Sequence, residues 1–248
     1  MQIHLYICLM NIVIDIGNTA AKIGFFKDGD LVKKNNVLIN ELENFIGNCN
    51  YSQGIICSVK TYDKIHSILN RNKAIKLFNN GLKIPVNNNY VTPASLGYDR
   101  LANAIGAFTI SPNRNNLIID AGTCLKFDLI NSENNYLGGS ISPGLKMRAK
   151  ALHTFTDKLP LVEEFNSTKL IGDSTLSSIL SGIVNGLTSE IKEMINNYKY
   201  NYPELQVFLT GGDSELIYPM VDRQKSSIFA HDYITLLGLN RILEENVS

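Results

Sequence analysis

Two apolar runs in this chain end in an aspartate followed by a glycine turn. Asp15 precedes Gly17-Asn18-Thr19, and Asp120 precedes Gly122-Thr123. A glycine turn brings backbone N–H groups close to an anion because no Cβ stands in the way. An Asp at the strand end can hold a cation directly or through water. Asn18 and Thr19 have the hydrogen atoms to donate to phosphate oxygens, and Lys22 has the reach to meet a phosphate as a point charge. A third glycine turn, Thr210-Gly211-Gly212-Asp213, follows an apolar run and is a plausible nucleotide contact. In Gly97-Tyr98-Asp99-Arg100 a carboxylate stands beside a guanidinium. That pair could be a general base next to a grip for a substrate carboxylate, or only a helix cap with a surface ion pair. The glycines of Gly138-Gly139-Ser140-Ile141-Ser142-Pro143-Gly144 allow close backbone approach by a ligand. One Asp-Gly turn is usually no more than a turn; two of them on facing lobes would cradle a polyphosphate.

The elements needed to position these groups follow from periodicity. Residues 11–16 (NIVIDI) read as a buried strand, 21–27 as a second, and Asp28-Gly29 as a hairpin turn into a third near 30–38. A helix at 40–48, a strand at 54–59, a helix at 62–71 and a strand at 74–78 follow, then an Asn- and Gly-rich loop over 79–89. Residues 98–110 carry apolar positions at helical spacing. Pro112 to Asn116 reads as a boundary. Beyond it come strands at 117–121, 125–130 and 136–142, a helix at 145–153 and an irregular stretch over 154–172. The longest helical pattern is 174–198, with Leu176, Ile179, Leu180, Ile183, Val184, Leu187 and Ile191 on one broad face. A strand at 206–210, a helix near 213–219, a strand at 226–230 and a helix at 233–245 complete the chain. Residues 12–19 and 117–123 share one plan, which makes internal duplication the first fold idea to test.

The bulk properties exclude several classes. The chain has 248 residues, 44% hydrophobic and 19% charged, an ordinary globular composition of one large or two small domains. Lys+Arg and Asp+Glu are equal at 23 each, so there is no electrostatic footprint for nucleic acid or an anionic membrane. Cys8, Cys49, Cys57 and Cys124 form no CxxC and no zinc spacing, and read as free thiols in a reducing cytoplasm. His4, His66, His153 and His231 have no Ser or Cys at a recognisable spacing. GxSxG, HExxH, Walker A and GxGxxG are all absent. The apolar start, 1–9, is too short to span a bilayer and lacks the flanks of a signal peptide. Met10 directly before the first strand suggests that it is the true start and 1–9 an upstream extension, the alternative being a poorly packed tail.

Taken together, DIGNTAAK at 15–22, GYDR at 97–100, DAGT at 120–123, GGSISPG at 138–144 and LTGGD at 209–213 resemble the motif series of the type III pantothenate kinases. These belong to the acetate and sugar kinase, heat-shock chaperone and actin superfamily. The resemblance runs from residue 11 to about 245. It implies an α/β fold of two similar RNase H-like lobes, the actin-like ATPase fold, with the nucleotide site between them. The expected lobes are 11–112, with the first phosphate loop and the pantothenate loop, and 113–248, with the second phosphate loop, the adenosine-side turn and a dimer helix. The implied activity is ATP-dependent phosphorylation of pantothenate to 4′-phosphopantothenate, the first step of coenzyme A synthesis.

By position, the resemblance assigns Asp15, Ile16, Gly17, Asn18, Thr19, Ala20, Ala21 and Lys22 to the first phosphate loop, and Thr123 to a second phosphate contact. Asp99 corresponds to the proton acceptor. Tyr90, Gly97, Tyr98, Arg100 and Thr175 correspond to substrate contacts, Thr175 being presented across a homodimer. Asp120 corresponds to the ligand of a monovalent cation, K⁺ or NH₄⁺, and Mg²⁺ would accompany the ATP. Lys126, two residues beyond the DAGT turn, could point into that cation site or away from it. Cys124-Leu125-Lys126 departs from the small or hydroxyl residues common there, and Ala20 and Ala21 stand where larger residues are frequent. Another small-molecule kinase of the superfamily and a non-catalytic regulator of the Bvg accessory type are the alternatives. The presence of Asp15, Lys22, Asp99 and Asp120 argues against the regulator.

Overall fold

A computed structural model describes residues 10–17, 20–58, 63–166, 169–222 and 228–247. The proposed extension 1–9 and the loop residues Asn18 and Thr19 lie outside the described residues. The chain forms two units, Ser111–Asp232 and the pair of stretches up to Ile110 and from Tyr233 onward.

The first unit is built on β1 (Asn11–Ile16), β2 (Ala20–Lys27), β3 (Asp30–Leu38), α1 (Leu42–Gly47), β4 (Gln53–Ser58), α2 (Asp63–Arg71), β5 (Ile75–Leu77), the two-residue β6 (Asn87–Asn88) and α3 (Tyr98–Ile110). Its sheet has the order β3-β2-β1-β4-β5. The central strand β1 runs antiparallel to β2 and parallel to β4. Ile12, Val13 and Ile14 are fully buried, which is why the strand reads as an unbroken apolar run rather than an alternation. The Asp28-Gly29 turn closes the β2–β3 hairpin with both residues at positive φ, 52° and 89°, the type I′ geometry that follows the twist of the strands.

The second unit contains β7 (Asn116–Ala121), β8 (Cys124–Ile130), β9 (Asn135–Pro143), α4 (Leu145–Thr154), α5 (Thr175–Asn201), β10 (Gln206–Thr210), α6 (Ser214–Val221) and β11 (Phe229–Ala230). Its strands lie in the order β9-β8-β7-β10-β11. Strand for strand this repeats the first unit, with β7 antiparallel to β8 and parallel to β10. The expected duplication is therefore present at the level of topology. α5 begins at a capping box, in which Ser174 Oγ accepts from Ser177 N while Ser177 Oγ accepts from Ser174 N. Its Ile179, Leu180, Ile183, Val184, Leu187 and Ile191 are buried in the core of its own unit with Leu117, Phe127 and Val207.

One expectation needs correction. The terminal helix, α7 (Ile234–Glu245), was expected with the second lobe but belongs to the first unit. The reason is backbone contact with α3. A Cβ at Gly238 would lie 1.9 Å from the Ala102 carbonyl oxygen, and one at Gly106 would lie 2.1 Å from that of Ile234. The two glycines let the helices approach closer than any side chain allows. Thr235 also donates a 2.6 Å hydrogen bond to Asn103 Oδ1 in this interface.

Gly238→Ala should therefore lower stability by about 1–3 kcal/mol or more, as overpacking of a tight contact does. Gly47→Ala at the end of α1, where a Cβ meets nothing within 4 Å, should instead gain up to about 1 kcal/mol from helix propensity. Urea unfolding midpoints of the two variants, measured side by side, check both signs.

Candidate active site

The first unit places Asp15 at the penultimate position of β1, directly opposite Lys22 on β2 and beside Cys57 on β4. Ile16 and Ala21 are buried and anchor the hairpin in the core, while Asp15, Ala20 and Lys22 are partly accessible. Gly17 N donates to the Ala20 carbonyl at 3.1 Å, and a Cβ on Gly17 would stand only 3.2 Å from that oxygen. The turn is therefore a close backbone loop, as its glycine suggested.

The GYDR segment starts α3. Gly97 O accepts from Arg100 N at 3.1 Å and from Leu101 N at 3.3 Å, so Gly97 launches the helix. Asp99 sits in the first turn, where the helix dipole favours a negative charge. Its carboxylate folds back over Gly97, and a Cβ there would lie 2.6 Å from Asp99 Oδ1. Arg100 is buried, with its guanidinium carbon 5.6 Å from the centre of the Tyr90 ring, a cation–π distance. Tyr90 N is held by Asn88 Oδ1 at 3.1 Å, and the Tyr98 ring meets Phe78 at 4.9 Å. Tyr90, Asp99 and Arg100 are thus gathered by one helix start and the loop before it.

In the second unit three separate motifs meet at the end of β7. Gly144 N donates to Thr123 O at 3.1 Å, and a Cβ on Gly144 would lie 2.1 Å from Gly122 O. Gly211, at φ 99°, would place a Cβ 2.2 Å from Ala121 O, and Asp213 N donates to that same oxygen at 2.9 Å. DAGT, the end of GGSISPG and LTGGD therefore form one backbone cluster, with Thr123 exposed at its rim. The N-termini of α4 and α6 both open here, and neither Gly144 nor Asp213 supplies a side-chain cap. Their first N–H groups, with the positive dipole ends, suit phosphate oxygens. Beyond this turn, Ser214, Glu215, Tyr218, Ala230, His231 and Asp232 line a cavity.

The charges around Asp120 differ from the expectation of a metal ligand. Lys126 stands opposite Asp120 across the β7–β8 ladder and its Nζ lies 2.7 Å from Asp120 Oδ2. Both side chains are largely enclosed, 16% and 17% exposed. Lys126 thus points at Asp120, and the donor set there does not fit a K⁺ or NH₄⁺ ion on that oxygen. Periodicity alone left this orientation open; the register of the hairpin decides it. Asp213 is the neighbour that sequence reasoning left without a charge role. Burial pushes its carboxyl above the ordinary range, the Lys146 ammonium pulls it partly back, and the Asp120 charge adds to the rise. Thr175 is the first residue of α5 and is exposed. A further link that the sequence did not signal joins GGSISPG to α5. Ser142 Oγ donates to Glu190 Oε1 at 2.5 Å, Arg148 pairs with Glu190, and Arg148 Nε donates to Pro143 O at 2.8 Å.

Among the described residues no three His, Cys, Asp or Glu side chains gather as a metal site, and no helix is long and apolar enough to cross a membrane.

Solved structures similar to this chain define the class. A Campylobacter jejuni chain described as a Baf family transcriptional activator aligns with a TM-score of 0.64 at 19% identity, over 95% of this chain and 98% of its own. The activator of 2-hydroxyisocaproyl-CoA dehydratase from Clostridium difficile aligns with a TM-score of 0.55 at 15% identity, over 96% of each chain. With the duplicated sheet order, these place the chain in the actin-like ATPase fold class. Residues 11–197 match the profile of the type III pantothenate kinases. Proteins of that name from Christiangramia forsetii and Phocaeicola vulgatus are 42% and 40% identical, over 96% of this chain and 99% of each relative. The chain belongs to the type III pantothenate kinase family.

The raised Asp213 carboxyl has a pH consequence. A carboxyl whose folded pKa lies above its unfolded value costs stability as pH rises through that window, and costs nothing below the unfolded pKa. Asp213→Asn removes the penalty. The melting temperature of the variant relative to wild type should rise as pH climbs from the ordinary carboxylate value, about 4, to the raised folded value, level off above it, and converge with wild type at the acid end. A difference independent of pH would show that the carboxyl carries no such cost.

Proposed function

We propose that Asp99 is the proton acceptor in the ATP-dependent phosphorylation of pantothenate to 4′-phosphopantothenate, the opening step of coenzyme A synthesis. The observation that carries this reading is the first turn of α3. There Gly97 leaves room for the Asp99 carboxylate, and Arg100 is set beside it against Tyr90. The primary hydroxyl of pantothenate attacks the γ-phosphorus, and the bond to the bridging oxygen breaks to release ADP. A carboxylate is far too weak a base to deprotonate an alcohol beforehand. Asp99 instead orients the hydroxyl and takes its proton late in the transfer. Arg100 pairs with the pantothenate carboxylate or with a transferring phosphate oxygen, and Tyr90, Gly97, Tyr98 and Thr175 shape the substrate site.

Phosphoryl transfer is mostly positioning and charge neutralisation. The hairpin from Asp15 to Lys22 serves as one phosphate loop, and the turn at Gly122-Thr123, backed by the N-termini of α4 and α6, serves as another. Mg²⁺ typically keeps several waters and binds through one or two carboxylates plus phosphates, which suits Asp15 as its partner. The turn at Gly211–Asp213 and the cavity beside it serve the adenosine side.

The reading includes a homodimer in a reducing cytoplasm. The apolar face of α5 is covered largely by its own unit, so the dimer face is narrower than the helix pattern suggested. It would use the exposed Leu170, Ile171 and Leu176 with Gly182 and Gly186, around the exposed Thr175. Light scattering at assay concentration should give twice the chain mass, and a fully active monomer would remove Thr175 from the partner's site.

Coupled ADP release with pantothenate, set against a panel of sugars and acetate, tests the substrate. Asp99→Asn keeps size and most hydrogen bonding while removing the charge. It should lower kcat by roughly 10²–10⁴-fold with ATP binding little changed, and near wild-type turnover would take Asp99 out of the reaction.

A further inference from the structure

We infer that Lys126 is a built-in monovalent cation: its ammonium does at Asp120 what a K⁺ or NH₄⁺ ion would do, so the chain turns over without either. The inference rests on the kinase reading for its activity test, and on the Asp120 geometry for everything else.

An ammonium is chemically the ion in question. NH₄⁺ and a lysine Nζ are both compact cations that donate hydrogen bonds to carboxylate oxygens. Nζ of Lys126 stands 2.7 Å from Asp120 Oδ2, where a free NH₄⁺ would sit. An added cation at that oxygen would have to displace a like charge. The other oxygen offers little alternative, because Oδ1 faces the glycine turn, where a Cβ on Gly211 would come within 2.6 Å of it. Lys126 is placed by the sheet itself, opposite Asp120 in register, rather than by a flexible loop. Tethering also removes the entropy that a free ion loses on binding.

The surrounding charges favour a fixed cation. Asp213, at the start of α6, lies close enough to Asp120 for the two carboxylates to repel, and Lys146 on α4 opposes Asp213. Lys126 meets Asp120 directly. In the first unit Lys22 likewise stands opposite Asp15 in the strand register of the equivalent hairpin.

The test measures pantothenate-dependent ADP release at fixed ionic strength in choline, Na⁺, K⁺ or NH₄⁺ chloride, with melting temperature read in the same salts. Wild type should work equally in all four and show no cation-specific melting shift. Lys126→Met keeps the length of the stem and removes the charge. In choline it should lose activity by roughly 10²-fold, the scale of a lost electrostatic contact to a transition state. K⁺ or NH₄⁺ should restore much of that loss and raise its melting temperature, while Na⁺ should do less. The double variant Asp120→Asn/Lys126→Met removes both charges and should melt identically in all four salts. A wild type that is idle in choline and activated by K⁺ overturns the inference. So does a Lys126→Met protein whose rate in choline matches wild type, or whose melting point ignores K⁺. If the wild type releases no ADP with pantothenate in any salt, the kinase reading fails, and the melting series alone decides the role of Lys126.

Discussion

Three backbone segments cross at the end of β7 at distances that exclude any side chain. Gly144 and Gly211 press on the carbonyl oxygens of Gly122 and Ala121 from two sides, and hydrogen bonds from Gly144 N and Asp213 N lock the crossing. The constraint explains why residues so far apart in sequence must all be glycine. It also directs two helices. α4 leaves from Gly144 and α6 from Asp213, so both N-termini open on one small region. An anion-binding surface there is a by-product of close packing, made of backbone and dipoles with few side chains involved.

That packing sets the electrostatics. Gly211 packs against Oδ1 of Asp120, and the strand register delivers Lys126 to Oδ2. A pair so enclosed pays for desolvation through its mutual attraction, and losing one member would strand the other. At the same crossing burial pushes the Asp213 carboxyl up, and the Lys146 ammonium pulls it partly back.

Much of the fold was legible because local signals agreed. The apolar run before Asp15, the Asp28-Gly29 hairpin and the helical spacing over 98–110 each specify an element without help from distant residues. The repeated plan at 12–19 and 117–123 disclosed the duplication of the sheet. The home of α7 was not legible. Its apolar stripe shows that it must pack but not against which sheet, and the telling residues, Gly106 and Gly238, look like ordinary helix weaknesses until the partner carbonyls are known. At the site, the residue types and their order were readable, because phosphate-binding turns need glycine and a general base needs a carboxylate. The convergence of DAGT, GGSISPG and LTGGD was not, since no local pattern encodes contacts over such separations. The direction of Lys126 lay between these cases: strand alternation gives its face, and only the turn length gives the residue opposite.

That dependence on turn length bears on whether the lysine is there by accident. Lys22 follows Asp15 by seven positions, but Lys126 follows Asp120 by six, because the second turn is one residue shorter. If a lysine merely happened to occupy a fixed offset from the aspartate, the shorter turn would have carried it out of register. Side-chain direction alternates along a strand, so a one-residue slip sends the group to the opposite face. In each hairpin the lysine instead stands directly across from the strand-end aspartate, at whatever offset its own turn requires. What the two hairpins have in common is therefore the register of lysine against aspartate and not the spacing. That register is a property of the folded hairpin, reached twice by different turns.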